Sequence, residues 1–409
     1  MRILHINQSD IVGGAAISAY RLHKSLLTKN FNSFILADIT KLSSNRIYSI
    51  KRKRLWEGLS SRLFSKLGLN YLDIKNTFSL PKDRCFQDAN IINLHNLHGG
   101  YFNYLGIANL SHKKPTVLTL HDMWSFTGHC AYSFNCDRWQ TGCGKCPYPD
   151  TYPSISRDST SLEWKLKRWV YNHSNLNIVT PSKWLTGLVG QSILNHFPIH
   201  HIPNGLDITI YRPLSQEMCR SALGLPNNKK VIFFTAQSLK DLRKGGDLLL
   251  KALQKLPEPL KKDSILMTMG TDSEALTESI DIPIMALGYV GSDRLKALAY
   301  SAANLFVAPT RADNLPIVLQ ESMACGTPMV SFAVGGVPEL VRHGITGLLA
   351  KPENPVDLSV KLTELLEDST LRDQLSQNCR RIAIEEYSIE LQAQRYISLY
   401  EKVLENFKS

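Results

Sequence analysis

Long apolar runs are missing from this chain. No stretch approaches the ~18–20 consecutive apolar residues needed to span a bilayer. The opening Met1-Arg2-Ile3-Leu4-His5-Ile6-Asn7 reads as a first strand, because polar residues break it before the apolar core of a signal peptide could form. A cytoplasmic location is therefore the expectation. Short-period repeats and low-complexity tracts are absent too. No nucleic-acid recognition motif accompanies the basic residues, so nucleic acid is not an expected partner. Acids are scarce relative to bases: 36 Asp and Glu stand against 47 Lys and Arg, a net charge of +11. Cysteine is limited to eight residues, which a reducing compartment favours as thiols or metal ligands over disulfides.

The 409 residues, 43% hydrophobic and 20% charged, suffice for two or three cores. Short apolar runs alternate with helical patterns throughout. In the first half they are Ile3–Asn7, Phe34–Ala37, Ile91–His95, Thr116–His121 and Asn177–Thr180; in the second, Val231–Ala236, Ile265–Met269, Asn304–Ala308 and Met329–Phe332. Such alternation predicts an α/β fold with parallel sheets wrapped by helices. The turn-rich segment from Ile202-Pro203-Asn204-Gly205 to Tyr211-Arg212-Pro213, close to mid-chain, is the best boundary. A final amphipathic helix is expected from about Leu391 to Phe407.

One stretch carries the most chemistry. Asp313 and Glu321 stand eight positions apart in Asp313-Asn314-Leu315-Pro316-Ile317-Val318-Leu319-Gln320-Glu321. Pro316 suits the first helical turn, and Gly326 with Thr327-Pro328 suits the stop. Amides at such a helix start can hold a phosphate, and the acids can accept hydrogen bonds from sugar hydroxyls. Phosphate and sugar together mean a nucleotide-sugar. On this stretch alone an ordinary capped helix with two solvated acids is an equal reading. Upstream, Gly13-Gly14 follows the first strand and opens a helix, where a backbone without side chains lets a ligand approach closely; a simple turn is the alternative. His121-Asp122 ends the run from Thr116, the strand end at which open α/β sheets place ligands. His95 and His98 lie at another strand end. Arg243-Lys244-Gly245-Gly246 follows the run from Val231, and a Lys at a helix start can neutralise a diphosphate.

Taken with the flanking Leu305–Pro309 and Gly335-Gly336-Val337-Pro338-Glu339, the Asp313–Pro328 segment resembles the donor-binding signature of the retaining glycosyltransferases of family four. That resemblance implies the GT-B fold: two facing Rossmann-like domains with a cleft between them and a C-terminal helix crossing back. The corresponding boundaries are 1–203 on the acceptor side, 204–386 for the nucleotide-sugar, and 387–409 for the crossing helix. It further implies that Glu321 holds ribose hydroxyls. Asp313, where the family usually has Glu, would position the transferred sugar with the amides of Asn314 and Leu315. Lys244 and the Gly13-Gly14 loop would face the diphosphate, and His121 the reacting sugar. The family's usual Arg position is most simply filled by Ser238, so Arg243 is expected to supply that charge from a different place. His95, His98 and Asp122 are acceptor-side candidates. No catalytic metal is implied.

Cys130, Cys136, Cys143 and Cys146 fall within seventeen residues directly after His121. The Cys143-x-x-Cys146 spacing suits two thiolates on one tetrahedral Zn²⁺, and two more would close a structural shell. A redox pair, disulfides or unpaired thiols are the other readings. The context Leu120-His121-Asp122-Met123-Trp124-Ser125-Phe126-Thr127-Gly128-His129-Cys130 resembles a cysteine-bearing subgroup of bacterial colanic-acid and exopolysaccharide glycosyltransferases. Nearly half of the excess positive charge lies in residues 51–67, where Lys51, Arg52, Lys53, Arg54, Arg62 and Lys66 meet only Glu57. The apolar residues there share one helical face, which reads equally as a membrane-surface anchor at the inner face of the plasma membrane or as a packed helix with a solvated basic face. The resulting expectation is transfer of a sugar from a nucleoside diphosphate to a saccharide or lipid-linked saccharide in polysaccharide biosynthesis. A nucleotide-sugar epimerase, a glycan phosphorylase and a non-catalytic zinc-bearing scaffold at the membrane are the alternatives.

Overall fold

A computed structural model describes residues 1–51, 61, 64, 66–272 and 280–408. The basic segment expected to form a helix over 51–67 lies largely outside the described residues. Two compact units emerge: Met1–Pro203 together with Gln392–Ser409, and Asn204–Leu391. Among the described residues no helix is long and apolar enough to cross a membrane.

The first unit is built on strands β1 (Arg2–Ser9), β2 (Asn32–Ile39), β3 (Ile47–Ser49), β4 (Ile91–His95), β5 (Thr116–Thr119), β6 (Asn177–Thr180) and β7 (Ile199–His201). They form one seven-stranded sheet in the order β3-β2-β1-β4-β5-β6-β7, parallel throughout. A parallel sheet covered on both faces needs apolar residues at successive positions, and every residue of β4 is buried. Strand alternation sorts the core in two. Leu4, Ile92, Leu118 and Ile178 join one apolar cluster. Ile3, Ile91, Val117 and Val179 join another, closed by Leu22 and Leu26 of the helix Gly14–Thr28.

That second cluster is completed by Ala393, Tyr396, Leu399, Tyr400 and Val403 of the helix Ile389–Lys408. Its tyrosines also satisfy polar groups inside the sheet. Asn93 donates to the Tyr400 hydroxyl at 2.8 Å, and the hydroxyls of Thr119 and Tyr396 lie 3.1 Å apart.

The second unit carries β8 (Lys230–Ser238), β9 (Ser264–Thr271), β10 (Ile284–Ala286), β11 (Leu305–Ala308), β12 (Met329–Phe332) and β13 (Gly347–Ala350). These make a six-stranded parallel sheet, β10-β9-β8-β11-β12-β13. Each unit is thus Rossmann-like, and its loops after the strand ends hold the residues of interest. The apolar run expected over Thr116–His121 forms strand only as far as Thr119, and His121 follows in the loop, two residues beyond the end of β5.

Candidate functional site

In the second unit, Asp313 follows β11 and precedes the helix Ile317–Ala324, with Pro316 as its cap. The chain before it is pinned by close backbone contacts. At Gly245, φ is +73° and a Cβ would stand 1.8 Å from the Pro309 carbonyl oxygen. At Gly335, φ is +53° and a Cβ would stand 2.0 Å from the Asp313 carbonyl oxygen. Only glycine fits either place. Two bases consequently reach one carboxylate: Lys244 Nζ lies 2.6 Å and Arg243 Nη1 3.2 Å from Asp313 Oδ2. The Asn314 amide donates to Oδ1 at 3.1 Å. Burial works to raise the Asp313 pKa, but Lys244 and Arg243 outweigh it and hold the carboxyl below its usual range. Arg243 also donates to the Ala312 carbonyl at 2.9 Å. Ser238 serves a different end, donating to Asp272 at 2.6 Å.

Glu321 is 3% exposed. The hydroxyls of Tyr211 and Tyr300 stand 3.0 and 3.3 Å from its two carboxylate oxygens. Arg380 fixes this corner by donating to the carbonyls of Tyr211 and Ala324. Neither tyrosine nor Arg380 stood out in the sequence. Tyr211 lay in the turn-rich boundary segment, and its link to Glu321 spans 110 positions that no local pattern covers.

In the first unit, His121, His95 and His5 form a row. His121 Nε2 lies 3.1 Å from His95 Nδ1, and His95 Nε2 lies 3.1 Å from His5 Nδ1. His95 therefore has both ring nitrogens engaged within the protein and is 1% exposed, unlike the expected acceptor contact. His98 Nε2 sits 2.8 Å from Asp122 Oδ2, and the Trp124 amide donates to Oδ1 at 2.8 Å. Burial raises the Asp122 pKa, yet His98 and that amide leave it below the usual value. Gly13 has φ +89° at the start of the helix Gly14–Thr28, which carries no side-chain cap, and open space surrounds the place of a Cβ there.

Cys130, Cys136, Cys143 and Cys146 are free thiols lining one cavity of ≈ 20 Å³ with His129. The Gly128 amide points at Cys143 Sγ, 3.2 Å away. His129 Nδ1 donates to the Pro153 carbonyl at 2.8 Å, which leaves Nε2 as an acceptor 3.2 Å from Cys146 Sγ. Burial pushes Cys130 up to about 12 and Cys143 up to about 11. Among the described residues, no group of three or more His, Cys, Asp or Glu side chains is placed to hold a metal ion.

In the second unit, then, Asp313 anchors Lys244 and Arg243 just ahead of the helix that carries the buried Glu321. Residues 12–210 match "Glycosyltransferase Family 4" and residues 215–382 match "Glycosyl transferases group 1". The chain belongs to the glycosyltransferases of family four. An uncharacterized glycosyltransferase of Methanocaldococcus jannaschii is 27% identical over 191 residues, 46% of this chain and 48% of that one; the chain spans about half the length of such curated relatives. A putative colanic acid biosynthesis glycosyl transferase of Escherichia coli K12 is 23% identical over 428 residues, covering 98% of this chain and 100% of that one. Among solved structures, sucrose-phosphate synthase from Thermosynechococcus elongatus superposes with a TM-score of 0.71 at 17% identity, covering 99% of each chain. Anabaena HepE, solved with UDP-glucose, gives 0.66 at 15% identity, covering 98% of this chain and 100% of that one. The fold is GT-B.

Proposed function

We propose that this chain is a retaining glycosyltransferase that moves a sugar from a nucleoside diphosphate to a saccharide or lipid-linked saccharide in polysaccharide assembly. The observation that carries the reading is the Asp313–Lys244–Arg243 cluster beside the helix bearing Glu321. Lys244 and Arg243 bring positive charge to the end of β8 and β11, where a leaving diphosphate would develop negative charge; fixed cations there stabilise the transition state without reorganising. Asp313 holds both bases in place and, with the Asn314 and Leu315 amides, positions the transferred sugar. Glu321, kept in orientation by Tyr211 and Tyr300, accepts from the ribose hydroxyls. His121 contacts the sugar, and the uncapped amides after Gly13 offer donors for phosphate. The nucleotide-sugar is the donor substrate; the chemistry needs no metal.

The UDP-glucose complex of HepE makes UDP-sugars the first donors to try, followed by GDP-, ADP- and TDP-sugars. Incubation with radiolabelled donors and a lipid-linked saccharide should give a glycosidic product that retains the anomeric configuration of the donor. Interconversion of donors would establish an epimerase instead, and no turnover with any donor would leave a scaffold. The four-cysteine cavity is proposed as a structural zinc site of the first unit. Thiols sharing one small space with an anchored imidazole are the right donor chemistry, although as placed they do not close a ligand shell. The net charge of +11 supports contact with an anionic membrane surface through residues 51–67, at the inner face of the plasma membrane. Co-sedimentation with vesicles containing anionic lipid should be lost when the basic residues of that segment become Gln.

A further inference from the structure

We propose that His5 and His95 are positioning residues that hold His121, in the loop after β5, in its Nδ1–H tautomer. The functional meaning rests on the reading of His121 as a sugar contact, while the tautomer itself follows from the first unit alone. The three rings come from adjacent strands of the sheet, β1, β4 and the loop after β5, and meet nitrogen to nitrogen at 3.1 Å in both contacts.

Burial keeps all three rings neutral: His5 falls to about 3, His121 to about 4, and His95 lies well below the ordinary imidazole value. A neutral imidazole has one N–H and one lone pair, so each contact needs one ring to donate and the other to accept. Only two orders satisfy both contacts. In the first, His121 donates to His95, His95 donates to His5, and His5 is left with its proton on Nε2. In the second, His5 Nδ1–H donates to His95 Nε2 and His95 Nδ1–H donates to His121 Nε2. His121 then carries its own proton on Nδ1.

The far end of the row decides between them. Among the described residues the buried His5 Nε2 has no hydrogen-bond partner, and His5 itself is fully enclosed. The first order would leave an orphaned buried N–H there, the rarer and costlier outcome; the second leaves an unused lone pair. The row thus has a built-in polarity that runs outward from the core. A free histidine side chain in water favours Nε2–H, so the row would reverse the intrinsic preference of His121. Which nitrogen of a working histidine holds the proton is commonly set by what its other nitrogen bonds, and here that control passes through two rings.

The experiment is a long-range ¹H–¹⁵N correlation spectrum of the full chain labelled with ¹⁵N-histidine, with His121 assigned by the signal lost in His121→Gln. The expected pattern is a protonated Nδ1 and an unprotonated Nε2 at His121. An Nε2–H pattern in the unmodified protein overturns the proposal without any variant. In His5→Phe the polarity should be released: both tautomers should appear at His121, and kcat for sugar transfer should fall roughly tenfold with nucleotide Kd unchanged. His5→Asn, whose amide N–H stands where Nδ1–H stood, should restore the single tautomer and most of the rate. An unchanged tautomer in His5→Phe, or equal loss in the Phe and Asn variants without a tautomer change, overturns it. The spectra require no turnover, so a chain that transfers no sugar would sink the functional reading and leave the tautomer result legible.

Discussion

Breaking the Asp313 cluster one base at a time is the most direct test of the donor site. Asp313 is nearly buried and takes Lys244 at 2.6 Å and Arg243 at 3.2 Å on one oxygen. A hydrogen bond to a charged group contributes ~1.5–3 kcal/mol, and stranding a buried charge costs ~3–5 kcal/mol. Lys244→Met leaves Arg243 on the carboxylate, and the Lys244 side chain is itself 24% exposed, so the lower end applies: a loss of about 2 kcal/mol in the second unit. A double-mutant cycle with Asp313→Asn isolates the pair, because the two residues touch and their effects should not add. Urea unfolding of the four proteins should give a coupling energy of about 1.5–2 kcal/mol for Lys244 with Asp313, and a second cycle with Arg243→Met should give a smaller one for Arg243 with Asp313. A coupling below about 0.5 kcal/mol is what an exposed surface pair gives and would refute the anchoring role. The same variants test the chemistry: Lys244→Met should slow transfer much more than Arg243→Met, and equal, small losses would place the phosphate clamp elsewhere.

Glu321→Ala should weaken nucleotide binding by ~1.5–3 kcal/mol with the fold intact; an unchanged calorimetric Kd would remove Glu321 from the donor site. Purified protein should contain about one zinc per chain, and stripping it should lower turnover until zinc is returned; no bound metal, with all four thiols freely alkylated, would reject the site. Acid should destabilise the first unit earlier than carboxylate titration explains. His5, His23 and His121 titrate near 6.5 when unfolded but at about 3, 4 and 4 when folded, so below 6.5 the unfolded chain binds more protons. Stability is then complete above about pH 6.5 and drains as pH falls toward 4, by ~1.4 kcal/mol per ring per pH unit; a flat stability profile from pH 7 to 5 would contradict the buried, neutral assignment.

The sheet centres were legible in the sequence and the sheet edges were not. Ile91–His95, Asn177–Thr180 and Met329–Phe332 are bounded as their apolar runs suggest, since a central parallel strand is buried on both faces. The strands with no clear run, β3, β7, β10 and β13, are the outermost in their sheets. Those of three residues, such as β3 with Ile47-Tyr48-Ser49, are too short for any periodicity to show. Local motifs marked Asp313, Glu321, Lys244 and His121 because each stands beside a strand end or helix start. What they touch could not be read the same way. The Lys244–Asp313 contact spans 69 positions and His5–His95 spans 90; both depend on which strands become neighbours. The role of Tyr300 was hidden for a similar reason, since it looks like any aromatic on an apolar helix face until Glu321 is placed beside it.

The return of residues 392 onward to the first unit has a consequence for how this protein is made. When ribosomal synthesis reaches Pro203, the surface formed by Ile3, Leu22, Ile91, Val117 and Val179 still lacks Ala393, Tyr396, Leu399, Tyr400 and Val403. Asn93 and Thr119 lack their tyrosine partners as well. At ribosomal elongation rates of roughly 5–20 residues per second the intervening residues 204–391 take roughly ten to forty seconds to appear. Throughout that interval the nascent chain carries an uncovered apolar strip on an otherwise assembled sheet, a natural hold-point for chaperones. The second unit has no such debt and can complete its core while the first waits. A released chain ending at residue 391 should therefore show a protease-sensitive amino-terminal half beside a protected second unit, and restoring residues 392–409 should close the first.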